Sequence, residues 1–122
     1  VWTGAGLLNS ADAVTLANGN RLPLFVLMTC LNGRFQDPFR ETLAEALMRA
    51  DNGGAVAVWA SSGLTEPGAQ AAIDQQLMRL LFTTTGQSPA LGDVVRGAKE
   101  ATTNIDVRRT WILFGDPTMR IR

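Results

Sequence analysis

The sequence predicts an α/β domain in which a parallel sheet is flanked by helices. Three short apolar runs, near residues 22–29, 55–60 and 110–114, lack the polar alternation of a half-exposed strand. Between them lie stretches with apolar residues at helical spacing, so the expected order is β, α, β, α, α, β. Strands apolar on both faces need cover on both sides, which helices joined by right-handed crossovers supply.

The first twenty residues, with Gly4, Gly6, Asn9, Asn18, Gly19 and Asn20, read as a connecting loop. The run LPLFVLMT is the first strand, expected to end at Cys30 before Asn32-Gly33 breaks it. Asp37-Pro38 offers a capping side chain followed by a pre-set φ, so a helix is expected to start there. Its buried stripe would be Phe39, Leu43, Leu47 and Ala50, ended by Asn52-Gly53-Gly54. AVAVWA, closed by Ser61-Ser62-Gly63, is the second strand. Thr65 to Pro67 opens a helix whose stripe is Ile73, Leu77, Leu80 and Leu81, and Thr83 to Gln87 loosens the chain. Ser88-Pro89 starts another helix, with Leu91, Val94, Val95, Ala98 and Ala101 facing inward. TWILF is the third strand, and Gly115-Asp116-Pro117 a turn leaving the sheet.

Composition removes several function classes. Of 122 residues, 46% are hydrophobic and 18% charged, a balance suited to one packed domain rather than a disordered chain. Eleven cations, ten of them Arg, are scattered and matched by 11 carboxylates, which leaves no basic footprint for nucleic acid or an anionic bilayer. No apolar run approaches the ~18 residues of a spanning helix, so membrane insertion is not expected. Cys30 is the single cysteine and there is no histidine. The usual zinc ligand sets and an internal disulfide are therefore closed to the chain, and no acidic spacing fits an EF-hand. No metal and no cofactor are expected. Gly4-Ala5-Gly6 is not a dinucleotide fingerprint, because Asn9 stands where the third glycine is needed and no strand precedes it.

Without histidine, a complete Ser-His-Asp or Cys-His set is absent, and any nucleophile must take its base from outside these residues. Ligands of open parallel sheets collect beyond the carboxyl ends of the strands. Cys30 sits at that end of the first strand, with Ser61 and Ser62 at the matching end of the second. A lone cysteine is most often a small buried hydrophobe. A reactive one needs a neighbouring cation, imidazole or helix start to draw the thiol toward thiolate. The helix expected at Asp37-Pro38 lies too far along the chain to be assumed to do so.

Four blocks, in order, resemble the gingipain-like cysteine peptidases, relatives of the caspases in fold. They are the apolar strand ending in Cys30-Leu31-Asn32-Gly33 with Phe35; Ala44-Glu45-Ala46-Leu47-Met48-Arg49-Ala50; Gly54-Ala55-Val56-Ala57-Val58 leading to Ala60-Ser61; and Phe114-Gly115-Asp116-Pro117. The resemblance runs from about Trp2 to the end. It implies a caspase-like three-layer sandwich, of which residues 1–122 would be the carboxyl-terminal part, with the catalytic His expected just upstream of Val1. It also implies a cysteine endopeptidase acting on polypeptide substrates, with Cys30 as nucleophile, and a secreted or cell-surface location.

Asn32 and Gly33 are expected to shape the turn presenting Cys30, and Trp2, Ser61 and Ser62 to line the site. Gingipains cleave after Arg or Lys with help from a Trp in the loop after the second strand; the corresponding residues 62–67 contain no aromatic, so basic specificity is not implied. Glu66 reads as a favourable charge at a helix start, and Trp59 and Trp111 as core. The alternative is a non-catalytic or sortase-like member of the same fold, acting in surface protein secretion or binding.

Overall fold

The computed structural model describes residues 5–82 and 88–121, so Trp2 and the segment 83–87 lie outside the described residues. The elements are α1 (Ser10–Ala13), β1 (Leu24–Leu27), α2 (Leu43–Arg49), β2 (Ala57–Ser61), α3 (Pro67–Leu81), α4 (Leu91–Lys99), α5 (Ile105–Thr110) and β3 (Trp111–Phe114). The α/β class is as the sequence predicts, and the strand order is β1-β2-β3.

The alternating strand residues divide the core into two layers. Leu27, Val58 and Ala60, with Phe25 and Phe114, pack on Ala13 of α1 and on Leu43, Ala44, Ala46 and Leu47 of α2. On the opposite face, Trp59 and Trp111 pack with Ile73 and Leu77 of α3, Val94 and Ala98 of α4, and Val107 of α5. The sheet is thus covered on both sides, and strands buried on both faces lose polar alternation. β1 is less buried than its composition suggests, since Leu24, Phe25 and Val26 are half-exposed. It lies at the sheet edge, paired only with β2 among the described residues.

The expectation of an all-parallel sheet is corrected at the third strand. β1 and β2 pair in parallel, Leu24 opposite Ala57. β3 runs antiparallel to β2, with Trp111 opposite Ser61 and Phe114 opposite Val58. The cause is α5, which ends at Thr110 and passes directly into β3. Because the Ser62 N–H donates to the Thr110 carbonyl (2.8 Å), the chain enters the sheet at the carboxyl end of β2 and can only run back along it.

Several boundaries also move. α1 stands where a loop was expected, capped by Asn9, whose side chain accepts from Ala11 and Asp12 while Asp12 accepts from the Asn9 N–H. α2 begins at Leu43, because Thr42 and Glu45 form a capping box there. Asp37 instead accepts from the Phe39 N–H (3.0 Å) in a turn, leaving Phe39 92% exposed rather than in the core stripe. α5 stands in the stretch between Ala101 and the third strand, where no element was expected; Asn104 caps it, accepting from Val107 N–H. Glu66 caps α3 through Gly68 and Ala69 N–H groups, and both tryptophans are core, as expected.

The α2–β2 junction turns on Gly54, at φ +91°, where an added Cβ would meet the Leu47 carbonyl oxygen at 2.2 Å. That carbonyl already accepts from the Ala55 N–H at 2.9 Å, so it cannot withdraw without breaking the helix-to-strand link. Gly54→Ala is expected to destabilise the intact protein by about 2 kcal/mol or more, read as a lower denaturant midpoint. An unchanged midpoint would mean that the junction relaxes freely.

Candidate active site

Cys30 lies beyond the end of β1 rather than on it. The Thr29 N–H folds back to the Leu27 carbonyl (2.8 Å), so the ladder stops at Leu27 and the next three residues bend out over the carboxyl end of the sheet. Leu31 follows at φ +65°, a left-handed conformation that is uncommon for a branched side chain. Such a residue persists only where its surroundings fix it.

Here they do. Asn32 is buried, its carbonyl accepts from Ala44 N–H (3.0 Å) in α2, and its side-chain amide donates to the Thr29 hydroxyl. Gly33 N–H donates to the Ser61 carbonyl (2.9 Å), which ties the turn to the end of β2. A Cβ on Gly33 would lie 2.9 Å from the Phe114 ring and 3.3 Å from the Ala60 carbonyl, so only glycine allows this approach. Phe35 closes the turn edge-on to Phe114, with centroids 6.4 Å apart. Asn32 and Gly33 therefore occupy the turn that carries Cys30.

The thiol is half-buried and meets polar groups of Thr65 and Gln70. Thr65 N–H and Gln70 Nε2 each donate to its Sγ at 3.4 Å, and the Thr65 hydroxyl is 3.8 Å away. As a neutral thiol it can donate in turn to the Thr65 carbonyl at 3.5 Å. The donors outweigh the acceptor: the Thr65 backbone N–H, above all, holds the thiol below its ordinary value against partial desolvation, with the Thr65 and Gln70 side chains acting in the same direction. Thr65 directly precedes Glu66, the cap of α3, whose carboxylate takes the Gly68 and Ala69 N–H groups at the start of that helix.

Thr65 and Gln70 were not legible as site residues, since they lie 35 and 40 positions from Cys30. The Thr65-Glu66-Pro67 helix start was visible in the sequence, but its placement against Cys30 needs the β1–β2 pairing.

Ser61 and Ser62 stand at the same end of the sheet, with both side chains turned inward and buried. Ser61 Oγ donates to the Gly63 carbonyl (2.9 Å), and Ser62 Oγ to the Thr110 carbonyl (3.0 Å). Their outward contributions are backbone: the Ser61 carbonyl holds Gly33, and the Ser62 carbonyl holds Gln36 Nε2 at 3.0 Å. A polar cleft of about 250 Å³ opens between Leu31, Asn32, Arg34 and the approach to α2; it reaches the turn after Cys30, and the thiol does not line it. An apolar hollow of about 370 Å³ lies elsewhere, along the β1 edge between Leu24, Val26 and Met78, and does not include the thiol. Among the described residues no group of His, Cys, Asp or Glu side chains is arranged to hold a metal, and no helix is long and apolar enough to cross a membrane.

The model of peptidase family C25 matches residues 1–122, the whole chain. The chain belongs to peptidase family C25. Two solved structures agree with that membership. The first, the crystal structure of the Arg-specific cysteine proteinase gingipain R (RgpB), superposes with a TM-score of 0.85 at 26% identity. That match covers 98% of this chain and 30% of the gingipain chain. The second, the complex of the pro- and mature domains of Porphyromonas gingivalis RgpB, has a TM-score of 0.78 at 26% identity, covering 93% of this chain and 29% of that one. The C25 chain thus spans about 30% of the length of the gingipain chain in the first structure. No curated protein sequence matches it.

Proposed function

We propose that this chain contributes the nucleophile of a cysteine endopeptidase, with Cys30 attacking the peptide carbonyl. The observation that carries the reading is the setting of the thiol, half-exposed beyond the carboxyl end of β1 and met by hydrogen-bond donors that favour its anion. A structural cysteine packed as a hydrophobe has no use for such donors. Membership of a peptidase family points to the same reaction class.

In the proposed mechanism the Cys30 thiolate adds to the carbonyl carbon, and an imidazolium protonates the departing amine as the C–N bond breaks. Water then hydrolyses the thioester, which returns the thiol. The sequence has no histidine, so the imidazole would come from a segment preceding Val1, and residues 1–122 would be the carboxyl-terminal part of the catalytic domain. The oxyanion would be held by backbone N–H groups, that of Cys30 among them. The polypeptide would lie across the cleft beside Leu31 and Asn32. Cleavage after Arg belongs to the gingipain neighbour; the loop 62–67 here offers no aromatic wall for it.

A peptidyl reagent with a thiol-directed warhead, added to the intact protein, is expected to label Cys30 stoichiometrically and to block hydrolysis in step with labelling. Hydrolysis that continues in fully labelled protein would overturn the reading. Labelling without any measurable hydrolysis beforehand would favour a binding member of the fold.

A further inference from the structure

We propose that Gln70 and Thr65 form an uncharged cradle that positions the Cys30 sulfur and favours its thiolate before any imidazole acts on it. The inference rests on the reading of Cys30 as nucleophile and adds residues that carry no part in that chemistry by themselves.

The geometry shows why the pair suits an anion. Gln70 is only 7% exposed, which is unusual for a glutamine unless its amide is used. Its Nε2 carries two protons but meets three acceptors: Thr65 Oγ1 at 2.7 Å, the Thr65 carbonyl at 3.0 Å and Cys30 Sγ at 3.4 Å. While the sulfur is a neutral thiol, the two oxygens are the better acceptors. Once it ionises it becomes the strongest acceptor of the three, and an amide proton can turn to it without moving the side chain. The Thr65 hydroxyl, 3.8 Å from the sulfur, can turn its proton the same way, while the Thr65 N–H points at Sγ throughout. The loss of the Cys30 proton thus meets donors already in position.

No charge does this work. Glu66, next to Thr65, is turned back onto the Gly68 and Ala69 N–H groups at 2.9 and 3.0 Å. Among the described residues neither Asp74, one turn beyond Gln70, nor Arg34, in the turn after Cys30, is a hydrogen-bond partner of the sulfur. The cradle is therefore independent of salt, unlike an ion pair.

The test reads the thiol itself. Iodoacetamide alkylation of Cys30 in the intact protein, quantified on the Cys30 peptide by mass spectrometry, is followed from pH 5 to 10 for the unsubstituted protein and for Gln70→Leu, Gln70→Glu and Thr65→Val. Gln70→Leu keeps the volume without donors, and Gln70→Glu keeps the shape but presents an acceptor. Each is expected to slow alkylation several-fold near pH 7 and to move the profile to higher pH, Gln70→Glu furthest, with rates at pH 10 that match or exceed the unsubstituted protein. Profiles that superimpose, or a slowing equal at every pH, would overturn the cradle. Thr65→Val, at a half-buried position, supplies the answer if the Gln70 variants fail to fold. The two readings fail separately: the cradle through these profiles, the nucleophile through hydrolysis by a Cys30→Ala variant.

Discussion

In the intact protein, Cys30→Ala is expected to lower peptide hydrolysis by about 10⁴-fold or more while leaving the fold in place. The activity term is large because no neighbouring group can replace the thiolate: the Ser61 and Ser62 hydroxyls point inward and are bonded to Gly63 and Thr110. The stability term is small because the side chain is short and only half-buried. Gln70 keeps its two bonds to Thr65 at 2.7 and 3.0 Å, and the half-buried Thr65 N–H alone loses its acceptor. Cys30→Ser should be nearly as inactive, since a hydroxyl in this uncharged cradle stays protonated at neutral pH. Hydrolysis at fixed substrate concentration and a thermal unfolding curve separate the two effects. Turnover of Cys30→Ala within a few-fold of the unsubstituted protein would remove Cys30 from the mechanism.

The strands and the two long helices were readable because each buries a face whose period the sequence displays. Ile73 and Leu77 in α3, and Leu91, Val94 and Ala98 in α4, are core as their spacing requires. What was not readable depends on partners remote in sequence. The antiparallel sense of β3 follows from where α5 delivers the chain, and α5 is only six residues long, too short to show a stripe. Its signal was capping: Asn104 ahead, Asp106 in the first turn, Arg108 and Arg109 in the last. The same holds at α2, where Thr42 and Glu45 outweigh Asp37-Pro38. At the site, the position of Cys30 near a sheet end was legible, while its environment was not. The sequence places the start of α2 too far along the chain to act on the thiol; Thr65, just ahead of α3, donates to the sulfur instead, brought there by the pairing of β1 with β2.

The second large effect is expected far from the thiol. Trp111→Ala should destabilise the intact protein by about 3–5 kcal/mol, through lost burial and an unfilled cavity. Trp111 is fully buried and packs against Trp59 with ring centroids 5.5 Å apart. Its Nε1 has no partner among the described residues, so truncation breaks no hydrogen bond there and the loss is one of packing. Trp111 also stands at the head of β3, opposite Ser61. The Thr110 carbonyl beside it accepts from Ser62 N–H and Oγ, and the Ser61 and Ser62 carbonyls in turn hold Gly33 and Gln36 of the turn that carries Cys30. Loosening the start of β3 therefore loosens that turn, whereas Trp59→Ala, on β2 with Lys99 over its ring at 5.6 Å, removes similar packing without touching the Thr110 anchor. Equilibrium denaturation followed by circular dichroism is expected to show a large loss for both variants, with most of it recovered in Trp111→Phe. Alkylation of Cys30 measured in folded protein should be disturbed more by Trp111→Ala than by Trp59→Ala. Equal disturbance would mean that the sheet end is held by the core as a whole and not by the Thr110 link.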